Sequence, residues 1–162
     1  DDVGHLLMMP GQVCYEPVIQ LFGEWIVKED GSLDRETISK IVFEKKEILE
    51  KLNAIIHPAV KKYILREIER SKKEKTEFFF IEAALLIEEK YDEICDELWY
   101  IYASEDERRM RLKRDRGYTD EKIDQIFASQ MPEKAFRQAC AHVIDSSGSM
   151  EGTQAQVRQI LG

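Results

Sequence analysis

The sequence predicts an α/β protein on three observations. Apolar residues recur at helical spacing up to about residue 76, strand-like apolar runs begin at Phe78, and helical patterns lie between and after those runs. In chain order, Pro10-Gly11 punctuates the opening segment, and residues 16–22 form a short helix stopped by Gly23. Residues 25–27 make a short extended piece. Asp30-Gly31 is a turn, and Asp34 caps a helix carrying Ile38, Ile41 and Val42. Ile48, Leu49, Leu52, Ile55 and Ile56 mark the next helix. It ends at His57-Pro58, because proline disfavours the helical conformation for the residue before it. Pro58 then opens a further helix with Val60, Tyr63, Ile64 and Ile68 on one face, and the charged stretch 71–75 is a linker.

The runs Phe78-Phe79-Phe80-Ile81 and Leu98-Trp99-Tyr100-Ile101-Tyr102 have the form of strands buried on both faces of a parallel sheet. Val143-Ile144 makes a third strand, before a terminal helix carrying Val157, Ile160 and Leu161. A chain of 162 residues accommodates one ordinary domain with embellishments. With 43% hydrophobic and 35% charged residues it is a folded globular protein. The net charge of -8 argues against general nucleic-acid binding, so any anion site is local. Cys14, Cys95 and Cys140 are odd in number and widely spaced, which suggests neither a disulfide framework nor a zinc site. No apolar run approaches the ~20 residues that span a bilayer. The opening residues lack the positive start of a signal peptide, so no membrane and a cytoplasmic location are expected.

Dense positive charge stands out in this acidic chain at Arg108, Arg109, Arg111, Lys113, Arg114 and Arg116. Arg108 and Arg111 lie one helical turn apart, as do Arg111 and Arg114, so their guanidiniums can converge on a polyphosphate. The same run equally describes a solvated face pairing with Glu105, Asp106 and Glu107. Glu82 follows an expected strand, at the end where open α/β sheets gather ligands. It either caps the next helix, orders a loop or holds magnesium through water. His57 either contacts a ligand or completes its helix end. Asp1, at a strand end, is placed to orient an attacking hydroxyl, or is simply a terminus. No G-x-x-x-x-G-K-[ST] loop for phosphates occurs in the chain.

Taken in order, the segments resemble the dephospho-CoA kinase family over nearly the full length. The match runs through Asp1-Asp2-Val3-Gly4-His5, Phe22-Gly23, Asp30-Gly31-Ser32-Leu33-Asp34-Arg35, Val42-Phe43 and the leucine-rich helix ending at His57-Pro58. It continues through Glu82-Ala83-Ala84-Leu85-Leu86, Arg111, Gly117-Tyr118-Thr119, Gln130-Met131-Pro132, Val143-Ile144-Asp145 and Gly148. The resemblance implies a parallel sheet of P-loop kinase type flanked by helices, with a helical substrate domain and a small helical lid. Residues 1–9 would end an N-terminal nucleotide-binding segment and 10–76 would form the substrate domain. Residues 77–103 and 138–162 would form the nucleotide-binding core, and 104–137 the lid.

The reaction it implies is ATP-dependent phosphorylation of the ribose 3′-hydroxyl of dephospho-CoA, with Mg2+, giving CoA and ADP. Asp1 and Arg111 are then the expected catalytic residues. His5, His57, Glu82 and Leu85 are expected to bind substrate, and Arg108, Arg114, Arg116 and Arg137 to serve the nucleotide and lid. No residue is assigned as a direct metal ligand. Where many relatives carry a second lid arginine, this chain has Asp115 with Arg114 and Arg116 on either side, and either can serve. The resemblance further implies roughly 30 residues before Asp1 that carry the phosphate loop. Rival readings are another P-loop nucleoside or nucleotide kinase, and a shortened relative that binds the CoA precursor without turnover.

Overall fold

The computed structural model describes residues 2–162, so Asp1 lies outside the described residues. The chain divides into two compact units, one ending at Ala84 and one running from Leu85 to Gly162. The first is helical, with α1 (Asp2–Leu7), α2 (Tyr15–Phe22), α3 (Arg35–Glu44) and α4 (Lys46–Lys73). Helix α2 stops at Gly23, whose φ of 96° is a conformation that glycine adopts without a Cβ penalty. Its amide donates to the Ile19 carbonyl at 2.7 Å. The piece expected to be extended at 25–27 is instead a 3-10 turn, Glu24–Ile26, followed by one antiparallel bridge between Val27 and Leu33. Asp34 caps α3 as expected, accepting from the Thr37 amide at 3.2 Å and the Thr37 hydroxyl at 2.7 Å.

One expected boundary is absent. Helix α4 runs unbroken for 28 residues with Pro58 inside it, and residues 71–73, read as linker, are its last turn. Proline removes one amide from the ladder and strains the preceding turn. Here that local cost is outweighed by packing on both sides of it: Leu52 and Ile64 are buried, and Ile55, Ile56, Ala59, Val60 and Tyr63 pack against the core. That core is Leu7, Cys14, Val18, Ile26, Leu33, Ile38 and Leu52. It collects one face each of α1, α2 and α3 onto α4.

The expected strand at residues 78–81 does not form. Phe78, Phe79 and Phe80 are 45%, 44% and 66% exposed, and the run belongs to neither strand of the sheet. Apolar composition favours a strand only where a neighbour accepts its hydrogen bonds. The helical pattern expected after it is a series of turns over residues 84–90.

The second unit contains β1 (Trp99–Tyr102), α5 (Glu105–Arg116), α6 (Asp120–Ser129), α7 (Glu133–Ala139), β2 (His142–Asp145) and α8 (Met150–Leu161). The two strands pair in parallel from Trp99 opposite His142 to Tyr102 opposite Asp145. Both expected runs in this half are therefore strands, and three helices lie in the crossover between them. Ser104, Thr119 and Ser149 cap α5, α6 and α8 with their hydroxyls. Parallel pairing places both strand C-termini, and the first turns of α5 and α8, at the same end of this unit.

Candidate active site at the strand ends of the second unit

Three serines knit the ends of β1 and β2 together. The Ser146 amide and hydroxyl both donate to the Tyr102 carbonyl, at 2.7 and 2.9 Å. The Ser104 amide donates to the Ser147 hydroxyl at 2.8 Å. The Ser147 amide donates to the Asp145 carboxylate at 2.8 Å, and Ser147 holds that carboxyl below its ordinary pKa. Into this end reaches Arg111, whose Nε donates to Glu107 at 2.7 Å and whose Nη2 donates to the Ser146 carbonyl at 2.6 Å. Its side chain is 36% exposed. A guanidinium has five donors, and these two bonds use two, so Arg111 is pre-oriented while keeping donors for an anion.

Arg108 lies along the same side of α5. Its guanidinium covers the Phe127 ring at 4.5 Å, and Nη1 donates to Gln130 at 3.0 Å. Its Nε is buried without a hydrogen-bond partner among the described residues. Arg137 pairs with Glu133 at 2.6 Å and sits over the Tyr102 ring at 5.1 Å. Beside it Tyr100 stacks on Phe136, with centroids 5.0 Å apart and planes 14° from parallel. Burial, reinforced by the Glu133 charge, pushes the Tyr100 hydroxyl above its usual pKa.

The basic run thus divides. Arg108 and Arg111 turn toward the strand ends and α6. Arg114 instead grips the Asp115 carboxylate at 2.6 and 2.9 Å, so the third guanidinium does not converge with the other two. Arg114 lines a separate shallow groove with Asp106, Arg109, Met110 and Lys113. Arg109 is a clasp between helices, donating to Glu105 at 3.3 Å, Asp120 at 3.0 Å and Asp124 at 2.6 Å. These bonds raise its already high pKa. Arg116 is exposed at the end of α5. The run therefore pairs with Glu105 and Glu107 through Arg109 and Arg111, and Arg108 and Arg111 remain its candidates for an anion.

The remaining expected site residues are distributed as follows. His5 on α1 and His57 within α4 belong to the first unit, as does the exposed Glu82. Leu85 opens the second unit and is 46% exposed. Asp1 lies outside the described residues. Sequence reasoning missed the serine knot. The available signal was Ser146-Ser147-Gly148-Ser149 between an apolar run and an amphipathic helix, a strand–turn–helix junction.

A parallel strand pair with helices in its crossover, in a chain with a separate helical unit, makes this an α/β protein with a candidate anion site at the strand ends. The comparisons narrow this class. A sequence model described as dephospho-CoA kinase matches residues 1–152. The chain is 37% identical over 162 residues to a dephospho-CoA kinase of Carboxydothermus hydrogenoformans, covering 99% of this chain and 78% of that protein. It is 35% identical over 162 residues to that of Aquifex aeolicus, covering 99% and 80%. Among solved structures it superposes on TT1252 of Thermus thermophilus with a TM-score of 0.72 at 28% identity, covering 91% of this chain and 74% of that one. A dephospho-CoA kinase from Campylobacter jejuni shares the fold, with a TM-score of 0.66 at 20% identity and 99% and 80% coverage. The chain belongs to the dephospho-CoA kinase family. Its function is the ATP-dependent phosphorylation of dephospho-CoA to CoA, the last step of coenzyme A biosynthesis.

Proposed function

We propose that Arg111 is the residue of this chain that stabilises the phosphoryl group in transfer from ATP to the ribose 3′-hydroxyl. The observation that carries this reading is its orientation: Glu107 and the Ser146 carbonyl hold the guanidinium at the strand ends with donors to spare. Phosphoryl transfer passes through a loose transition state, so fixed positive charge and positioning dominate its catalysis. Arg108 and Arg137, stacked on Phe127 and Tyr102, flank the nucleotide. Arg114 and Arg116 act from the lid, residues 104–137.

Asp1 orients the acceptor hydroxyl and takes its proton late, because in a loose transition state the attacking hydroxyl keeps its proton until bond formation is advanced. His5, His57, Glu82 and Leu85 bind dephospho-CoA, and residues 10–76 form its domain. Mg2+ enters with ATP as the metal–nucleotide substrate, held mainly by phosphate oxygens and water. No helix among the described residues is long and apolar enough to cross a membrane. With a net charge of -8 the enzyme works on small molecules in the cytoplasm rather than on nucleic acid.

The test is Arg111→Ala in the full-length enzyme, assayed with dephospho-CoA and Mg-ATP. Loss of one such donor should lower kcat by about a hundredfold or more. A rate within about twofold of wild type, too small a change for a lost transition-state donor, would transfer the role to Arg114 or Arg116.

A further inference from the structure

In the first unit a fixed hairpin delivers Arg35 to His5. Val27 bridges Leu33, the Lys28 amide donates to the Ser32 carbonyl at 2.8 Å, and Asp30 accepts from the Ser32 amide at 2.9 Å and its hydroxyl at 2.6 Å. The Tyr15 hydroxyl donates to the Gly31 carbonyl at 2.6 Å, tying the tip to α2. The Asp34 amide donates to the Ile26 carbonyl at 2.7 Å, and Asp34 caps α3, so Arg35 is fixed as the first residue of that helix. Its Nη2 lies 2.5 Å from Nε2 of His5. His5 is anchored in turn, because α1 buries Leu7 in the core and its Gly4 lies against Ile56 of α4.

Arginine stays protonated and can only donate. His5 Nε2 must therefore offer its lone pair, which makes the ring neutral and puts its proton on Nδ1. Burial and then the Arg35 charge lower the His5 pKa, against the pull of Asp2 on α1.

We propose that Arg35 is a positioning residue for dephospho-CoA, locking His5 as the neutral Nδ1–H tautomer that donates to an acceptor oxygen of the substrate. This rests on the reading of His5 as a substrate contact. The pair then offers one imidazole N–H and the guanidinium's remaining donors, with no acceptor, so it accepts an oxygen-rich ligand and excludes a donor group at the same place.

The experiment uses full-length protein carrying 15N-labelled histidine rings. His5→Gln identifies the His5 signals among those of the other histidines. In wild type the far-downfield, unprotonated nitrogen should be Nε2. Arg35→Met should release the ring to the Nε2–H tautomer, whereas Arg35→Lys, which still donates, should preserve the wild-type pattern. Calorimetry should find dephospho-CoA bound about tenfold more weakly by R35M and by H5Q, as for a lost charge-assisted hydrogen bond. The double variant should be no weaker than R35M, and ATP affinity should be unchanged throughout. A wild-type ring protonated on Nε2 overturns the proposal. So does weakening in H5Q without weakening in R35M, which leaves His5 as a substrate contact but removes Arg35 from its control. If R35M switches the tautomer while H5Q binds normally, the substrate reading of His5 fails, and the proposal fails with it.

Discussion

In the first unit Val18 and Ile26 are wholly buried, and together with Leu7, Cys14, Leu33, Ile38 and Leu52 they form one apolar cluster. In the second, the wholly buried Ile123 and Ile144 sit on different elements, α6 and β2, and much of the cohesion passes through polar clasps. Arg109 binds two helices, Arg111 joins α5 to the turn after β2, and Gln156 of α8 binds both backbone groups of Asp145. The contrast is between cohesion by removal of apolar surface from water and cohesion by directional bonds in partly solvated surroundings. The first tolerates little change of volume, and the second little change of donor or acceptor.

The comparison is broken most severely through Ile26. Ile26→Ala should cost about 2–5 kcal/mol, the usual range for a large-to-small change in a packed core. Hydrogen exchange should show the loss confined to residues before 85. Uniform loss across both units would mean that they unfold together.

Next in size is the stability effect of Arg111→Ala. A lid arginine waiting in solvent would be replaceable without cost to folding, but Arg111 is tied to Ser146 and Glu107. Its removal should lower the unfolding free energy of the second unit, read from urea titration, by about 1 kcal/mol, discounted for its partial exposure. The same variant should therefore lose both rate and stability. Gln156→Ala should cost about as much or slightly less, ~1 kcal/mol, by releasing the Asp145 amide and carbonyl. Exchange of the Asp145 amide should accelerate selectively.

The smallest effect is electrostatic. Lys113 and then Arg109 hold the Asp120 carboxyl below its usual value of 3.8. The folded value lies below the unfolded one, so this contribution is present above the unfolded pKa and fades as pH falls through the folded value. In an acid titration from about pH 4 downward, Asp120→Asn should make the second unit less acid-sensitive than wild type. An identical acid limb would show that solvent already screens the clasp.

Much of this architecture was legible from residue spacing. The helix at 16–22, the Asp34 cap and the two strands at 99–102 and 142–145 rest on local signals that tertiary packing reinforces. Pro58 and the run at 78–81 were misread for opposite reasons. At Pro58 a strong local signal is overruled by packing on both flanks, and at 78–81 a strong apolar signal is not taken up into the sheet of the described residues. The basic run at 108–116 pointed to a candidate site, but its division into Arg111 facing the strand ends, Arg109 clasping helices and Arg114 facing Asp115 could not be read. Those partners lie 35 residues away for Arg111, 15 for one carboxylate of Arg109 and one for Arg114, and no helical period distinguishes them. The His5–Arg35 contact, 30 residues apart, was hidden in the same way.

Gln156 has a consequence for association between molecules. Its amide meets the Asp145 N–H and C=O as the peptide group of an adjoining strand would, with both contacts at 2.9 Å. An unprotected strand end is a template on which a second chain can add, and proteins commonly block such ends with charge, proline or a bulge. Here a helix that follows the strand turns one of its own side chains back as a counterfeit strand, and the last residue of the template is already occupied. Without this side chain the Asp145 amide and carbonyl would be left to solvent, so one amide group covers the end of β2 as well as holding α8 in place.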